Sequence, residues 1–188
     1  TLVHCGPFAN IAHGCNSVVA TRMALHLADW AITEAGFGFD LGAEKFFDIK
    51  ATGARLNVDA VVLVATVRAL KMHGGRPKKK LDVTDVEAVQ RGLGNLEKHI
   101  ENMERFGVPS VVAVNKFSGD TAEEIAVITN RCDELGVRWA ITDHFARGGE
   151  GAEELAKAVM TIAHKEPTPF KPLYAWSQAV PKKVEAVA

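Results

Sequence analysis

Short apolar runs rich in β-branched residues alternate along the chain with longer stretches in which apolar residues recur every three or four positions. Asp59 to Thr66 (DAVVLVAT), Ser110 to Val114 (SVVAV) and Val137 to Thr142 (VRWAIT) have strand length, and Trp30 to Thr33 (WAIT) is a shorter run leading into glycines. Such runs, apolar without alternation, suit strands buried on both faces, as in a parallel sheet. Between them, Cys15 to Asp29 carries Val18, Val19, Met23, Leu25 and Leu27 with no internal breaker. Asp85 to Phe106 sets Val86, Val89, Leu93, Leu96, Ile100 and Met103 in one helical stripe, which Gly92 and Gly94 weaken. Thr121-Ala122-Glu123-Glu124 reads as a cap and acidic first turn, opening a helix to Leu135 that Gly136 stops. Glu150 to Ala163 makes a further helix. Strands and helices alternating over short links predict an α/β fold, a largely parallel sheet flanked by helices.

The expected organisation is one α/β segment over residues 1–188, with no internal repeat. Residues 164–188 read as an extended connector, punctuated by Pro167, Pro169 and Pro172, and then the start of a helix. Thr1-Leu2-Val3 reads as the middle of a strand and Lys182 to Ala188 as the opening turns of an unfinished helix, so both ends read as cut.

Charge narrows the partners. The 22 basic and 23 acidic residues nearly cancel, which points away from nucleic acid or a membrane surface as the main partner. The run Lys78-Lys79-Lys80 follows Gly74, Gly75 and Pro77 and reads as a solvated loop. No run of about 18 uninterrupted apolar residues marks a membrane span, and no signal-peptide pattern is present. Cys5, Cys15 and Cys132 form no CxxC pair and fit a reducing, cytoplasmic setting.

In open parallel sheets ligands bind beyond the carboxyl ends of the strands. The segments there are Glu34 to Gly38, Val67 to Gly75, Asn115 to Asp120 and Asp143 to Gly151, each mixing glycine, polar groups and an aromatic or basic side chain. Gly148-Gly149-Glu150-Gly151 precedes a helix and reads either as a backbone cradle for an anion or as a flexible loop with a helix turn. Asn115-Lys116 follows a buried strand, an arrangement in which Asn can address a base edge and Lys can pack over it. Phe37, Phe117 and Phe145 read as hydrophobic plugs or, where several converge, as ligand platforms. The histidines lack metal-ligand spacing, and no GxSxG, HExxH or GxxxxGK[ST] motif occurs.

Longer strings carry a more specific signal. Gly6 to Ser17 (GPFANIAHGCNS), Thr33 to Phe47 (TEAGFGFDLGAEKFF), Val64 to Gly75 (VATVRALKMHGG), Asn95 to Asn102 (NLEKHIEN) and Phe106 to Asp120 (FGVPSVVAVNKFSGD) occur in order, followed by Gly148 to Ala152 and Leu173-Tyr174. With these strings the whole chain resembles formate–tetrahydrofolate ligase. The resemblance implies an α/β protein of the P-loop NTPase class, about three times this length, cytoplasmic and homotetrameric. It implies a ligase in which ATP phosphorylates formate and the N10 amine of tetrahydrofolate captures the formyl group from formyl phosphate. Mg2+ would accompany the nucleotide, and a monovalent cation would support the assembly. The family's phosphate loop would lie upstream of Thr1 and a further part beyond Ala188, so this middle piece is expected to be inactive alone.

The same resemblance assigns site residues. Phe117 and Phe145 match aromatics that sandwich the pterin ring, although many relatives carry Trp where this chain has Phe145. Phe37 and Ile141 match apolar contacts at the reacting end, and Gly148 and Gly149 bring backbone close to ligand. Asn115 and Lys116 stand as nucleotide- or anion-binding candidates. Ala51 replaces a Cys common in the family. A standalone folate- or nucleotide-binding module without catalysis, or an oligomerising segment, are the competing readings.

Overall fold

The computed structural model describes residues 15–163 and 169–188, so the strand expected at Thr1-Leu2-Val3 and the connector residue Pro167 lie outside the described residues. Two compact units emerge, Thr1–Val58 with Phe170–Ala188, and Asp59–Pro169.

In the first unit, helix α1 (Val18–Leu27) starts at Ser17, whose hydroxyl accepts the Ala20 N–H at 3.1 Å. It falls within the predicted span, but none of its residues is buried. Trp30 to Thr33, expected as a strand, forms none. A strand exists only through a ladder to a neighbour, and no described strand pairs with this run. Further on, Phe39–Ala43 and Phe46–Ala51 wind as π-helical turns that run into the short α2 (Thr52–Ala54). Phe46 and Phe47 are buried and meet edge-on with ring centroids 5.5 Å apart, and Phe47 also meets Phe170 at 5.3 Å. Asp48 ties the returning segment down. Its carboxylate accepts the Leu173 N–H and its carbonyl accepts the Trp176 indole N–H, each at 2.8 Å. Burial, then the neighbouring Asp48 and Asp40 carboxylates, push Glu44 up to about 7. A last helix spans Val180–Val187, with Pro181 in its first turn.

The second unit is a three-stranded parallel sheet flanked by helices. Strands β1 (Val61–Ala65), β2 (Ser110–Asn115) and β3 (Arg138–Thr142) lie in the order β1-β2-β3, in a register that places Ala65 beside Val114 and Asn115 beside Thr142. Val111 to Val114 are buried on both faces, as a central strand requires. The flanking β1 behaves otherwise: Leu63 and Ala65 are buried while Val62 and Val64 face outward, despite the unbroken valine run.

Each strand leads into a helix. Val67 to His73, expected as part of a strand-end loop, is helix α3 (Val67–His73), capped by the Thr66 hydroxyl on the Ala69 N–H at 3.1 Å. The Lys78–Lys80 run forms an exposed 3-10 turn. Helix α4 (Val86–Phe106) starts at Asp85 and ends at Gly107, in the left-handed region at φ 70°. Its buried face holds Val89, Leu93, Leu96, Ile100 and Met103 of the stripe predicted from spacing, and adds Phe106, whereas Val86, predicted in the same stripe, is only half-buried in the first turn. Helix α5 (Ala122–Glu134) opens with a full capping box between Thr121 and Glu124, and Gly136 beyond it takes φ 68°. The one-turn α6 (His144–Arg147) and a 3-10 turn (Gly148–Ala152) precede α7 (Glu153–Ala163), which packs on β3 and β2.

Helices α3 and α4 touch through backbone. A Cβ at Gly92 would collide with the Leu70 carbonyl oxygen, whereas one at Gly94 meets nothing within 4 Å. Glycine therefore lowers helix propensity at both positions but is required at only one. Gly92→Ala is expected to cost about 2–3 kcal/mol through forced separation of the helices. Gly94→Ala is expected to stabilise by about 0.5–1 kcal/mol. Urea unfolding of the two variants checks the opposite signs.

Candidate functional site

The carboxyl ends of β2 and β3 emerge side by side, because Asn115 pairs with Thr142 in the parallel register. The Lys116 N–H donates to the Thr142 carbonyl at 2.9 Å, which carries the ladder one residue past β2. Adjacent strands run about 4.8 Å apart, so the Asn115–Asp120 and Asp143–Gly151 loops leave the sheet next to one another. The strand ends thus group Asn115, Lys116 and Phe117 on one loop with Ile141, Phe145, Gly148 and Gly149 on the strand and loop beside it.

Phe117 is 41% exposed and stands on a tight turn. Its N–H donates to the Asp120 Oδ2 at 2.8 Å, and the Asp120 N–H donates back to the Phe117 carbonyl at 3.0 Å. Phe145, on α6, is 90% exposed, and Ile141, near the end of β3, is 39% exposed. Asn115 and Lys116 are half-buried, and their side chains have no hydrogen-bond or ion-pair partner among the described residues. Polar groups left uncommitted at a strand end are available to a ligand.

The glycines of the 148–151 stretch differ in role. Gly148 takes φ 59°, which only glycine adopts without strain. Gly149 has open space around its α-carbon. Gly151 is the close-approach position, since a Cβ there would collide with the Asp143 carbonyl oxygen. The Asp143 N–H donates to the Gly151 carbonyl at 2.9 Å and closes the loop on itself.

Phe37 belongs to the first unit. It takes φ 58°, right after Gly36 at φ 65°. A Cβ on Gly42 would collide with the Gly36 carbonyl oxygen, so Gly42 is the backbone surface against which this turn is pressed. The Lys45 ammonium sits 5.4 Å from the centre of the Phe37 ring. A bulky residue held at positive φ is a local strain that surrounding structure must maintain.

Two contributors stand outside the site residues assigned from the sequence, Asp120 and Gly151. Asp120 carries a signal in the Phe-Ser-Gly-Asp string, where an Asp closes a glycine turn. Gly151 falls in the Gly-Gly-Glu-Gly stretch singled out from the sequence, but its need for a hydrogen in place of a side chain comes from Asp143, eight residues away. Among the described residues no group of three or more His, Cys, Asp or Glu side chains is placed to hold a metal ion, so none of them is assigned to one. No helix among those residues is long and apolar enough to cross a membrane.

The comparisons with known proteins agree with one another. The family model for formate–tetrahydrofolate ligase matches residues 1–188. A formate–tetrahydrofolate ligase of Granulibacter bethesdensis is 55% identical over 186 residues, which covers 99% of this chain and 32% of that protein. The chain thus spans about a third of the curated relative it matches. With the family model matched end to end, this chain belongs to the formate–tetrahydrofolate ligase family.

Proposed function

We propose that this chain is an internal part of an ATP-dependent formate–tetrahydrofolate ligase and supplies the wall of the cleft that receives the pterin of tetrahydrofolate. The observation that carries the reading is the exposure of Phe117 and Phe145 on loops leaving adjacent strand ends, within a chain matched along its whole length by the family model. An aromatic ring left in water gains nothing from its place, and a flat heterocycle stacked on it removes both surfaces from solvent. Ile141 extends this apolar wall. Phe37, in the first unit, is assigned to the same substrate on the family resemblance. Asn115 and Lys116, uncommitted to other side chains, are assigned to the nucleotide or an anion, as is the backbone at Gly148 and Gly149.

The reaction proposed for the complete enzyme joins formate to the N10 of tetrahydrofolate through formyl phosphate and releases ADP and phosphate. ATP with Mg2+ is then a substrate, and the enzyme is a cytoplasmic homotetramer of the P-loop class that uses a monovalent cation. This chain contains no GxxxxGK[ST] loop. Phosphoryl transfer needs charges positioned around phosphates and metal, so the chain by itself should bind tetrahydrofolate without turning it over. Calorimetric titration of the 188-residue chain with tetrahydrofolate tests the reading, together with an assay for 10-formyltetrahydrofolate in the presence of ATP and formate. Saturable binding without product supports it. A folded chain that binds ATP but no folate favours a nucleotide-binding wall instead.

A further inference from the structure

Phe117 is 41% exposed, and the next two residues, Ser118 and Gly119, are exposed as well. What holds its backbone is Asp120. The Oδ2 of Asp120 accepts the Phe117 N–H at 2.8 Å, and the Asp120 N–H returns to the Phe117 carbonyl at 3.0 Å, so both polar groups of the Phe117 backbone end on one residue. Asp120 is itself anchored. The next residue, Thr121, caps α5 and shares a capping box with Glu124, a fully buried carboxylate paired with Lys71 at 2.6 Å. A chain of bonds therefore runs from the core of the unit to the exposed ring.

We propose that Asp120 is a positioning residue for tetrahydrofolate binding, one that fixes Phe117 before the ligand arrives. The inference rests on the folate reading of Phe117. Its physical basis is entropic: an exposed loop that must be ordered at the moment of binding weakens affinity, and a turn already closed avoids that loss. The role needs an acceptor at position 120 and not a charge, so Asn can fill it while Ala cannot.

The test uses the whole ligase polypeptide that carries this segment. Steady-state kinetics are measured for Asp120→Ala, Asp120→Asn, Phe117→Ala and the Phe117→Ala, Asp120→Ala double variant. Asp120→Ala is expected to raise KM for tetrahydrofolate about fivefold while KM for ATP and formate stay at parent values. Asp120→Asn should restore most of the affinity, and the double variant should be no weaker than Phe117→Ala alone. A neutral Asp120→Ala beside a strong Phe117→Ala overturns the positioning role and leaves the folate reading standing. Additive effects in the double variant, or equal losses for all three substrates, also overturn the role. A neutral Phe117→Ala overturns the folate reading and this inference with it.

Discussion

Replacing Phe117 and Phe145 by alanine together is expected to weaken tetrahydrofolate binding by about 30-fold or more, with the fold of the second unit unchanged. Stacking of a flat heterocycle on an aromatic side chain contributes about 1–3 kcal/mol per ring, and tenfold in affinity corresponds to about 1.4 kcal/mol. If both rings stack on the pterin as proposed, two of them account for a loss of that size even at the low end of the range. The fold should survive because neither ring is part of the core: Phe117 and Phe145 are both exposed, unlike Phe106, which is buried. Isothermal titration of parent and variant, with circular dichroism as the control, checks both halves of the expectation. Phe145→Trp should bind at least as tightly as the parent, since the indole offers more stacking area. An unchanged affinity in the double alanine variant would remove the folate assignment of these loops.

The second large effect concerns stability. Lys71 and Glu124 are buried with side-chain exposures of 1% and 0%, and their charged atoms lie 2.6 Å apart. Further hydrogen bonds surround the pair. The Lys71 ammonium also donates to the carbonyls of Leu81 and Val83, at 3.1 and 3.0 Å. The Glu124 carboxylate accepts the N–H groups of Asp85 and Thr121, at 2.7 and 3.2 Å. Lys71→Met or Glu124→Leu strands one buried charge and is expected to cost about 3–5 kcal/mol in either case. The double variant should cost clearly less than the sum, since it leaves neither charge alone. Denaturant unfolding of the three variants measures this directly.

The same pair sets a dependence on pH. Burial by itself raises the Glu124 carboxyl, but the hydrogen bonds from Lys71, Asp85 and Thr121 outweigh it and hold the group below its ordinary value of 4.5. A carboxyl whose folded value is depressed stabilises the protein above the unfolded value, and that stability is lost as pH falls through the folded one. The midpoint of unfolding should therefore drop on acidification below 4.5 in the parent. The Lys71→Met, Glu124→Leu variant should show a shallower fall.

Local chemistry makes much of the second unit legible in the amino-acid order alone. The valine-rich runs form β1 and β2, and the run ending in Trp139 to Thr142 forms β3, because short apolar runs rich in β-branched and aromatic residues favour strands at that length. The Thr121–Glu124 capping box and the left-handed Gly136 are readable for the same reason, as each is complete within a few residues. The rule that ligands gather beyond the carboxyl ends of parallel strands picks four segments from the sequence, of which the loops of Phe117 and Phe145 follow observed strands as loops. Only the strand order, with β2 beside β3, decided that these loops leave the sheet next to one another.

Tertiary structure alone decided whatever depended on a distant neighbour. Trp30 to Thr33 has strand composition but pairs with no strand among the described residues, and a strand is a property of a pair. Val62 and Val64 read as buried like Val111 and Val112, yet they face outward, because burial on both faces belongs to the central strand of this sheet. Gly92 reads as a weak point in α4 and is instead where that helix meets the Leu70 carbonyl. Lys71 reads as part of a strand-end loop, whereas folding places it on α3 and buries it against Glu124. Sequence patterns of period two or near four report what a residue does for its own element. Backbone contacts and buried charges report what one element does for another, and only the assembled fold carries that information.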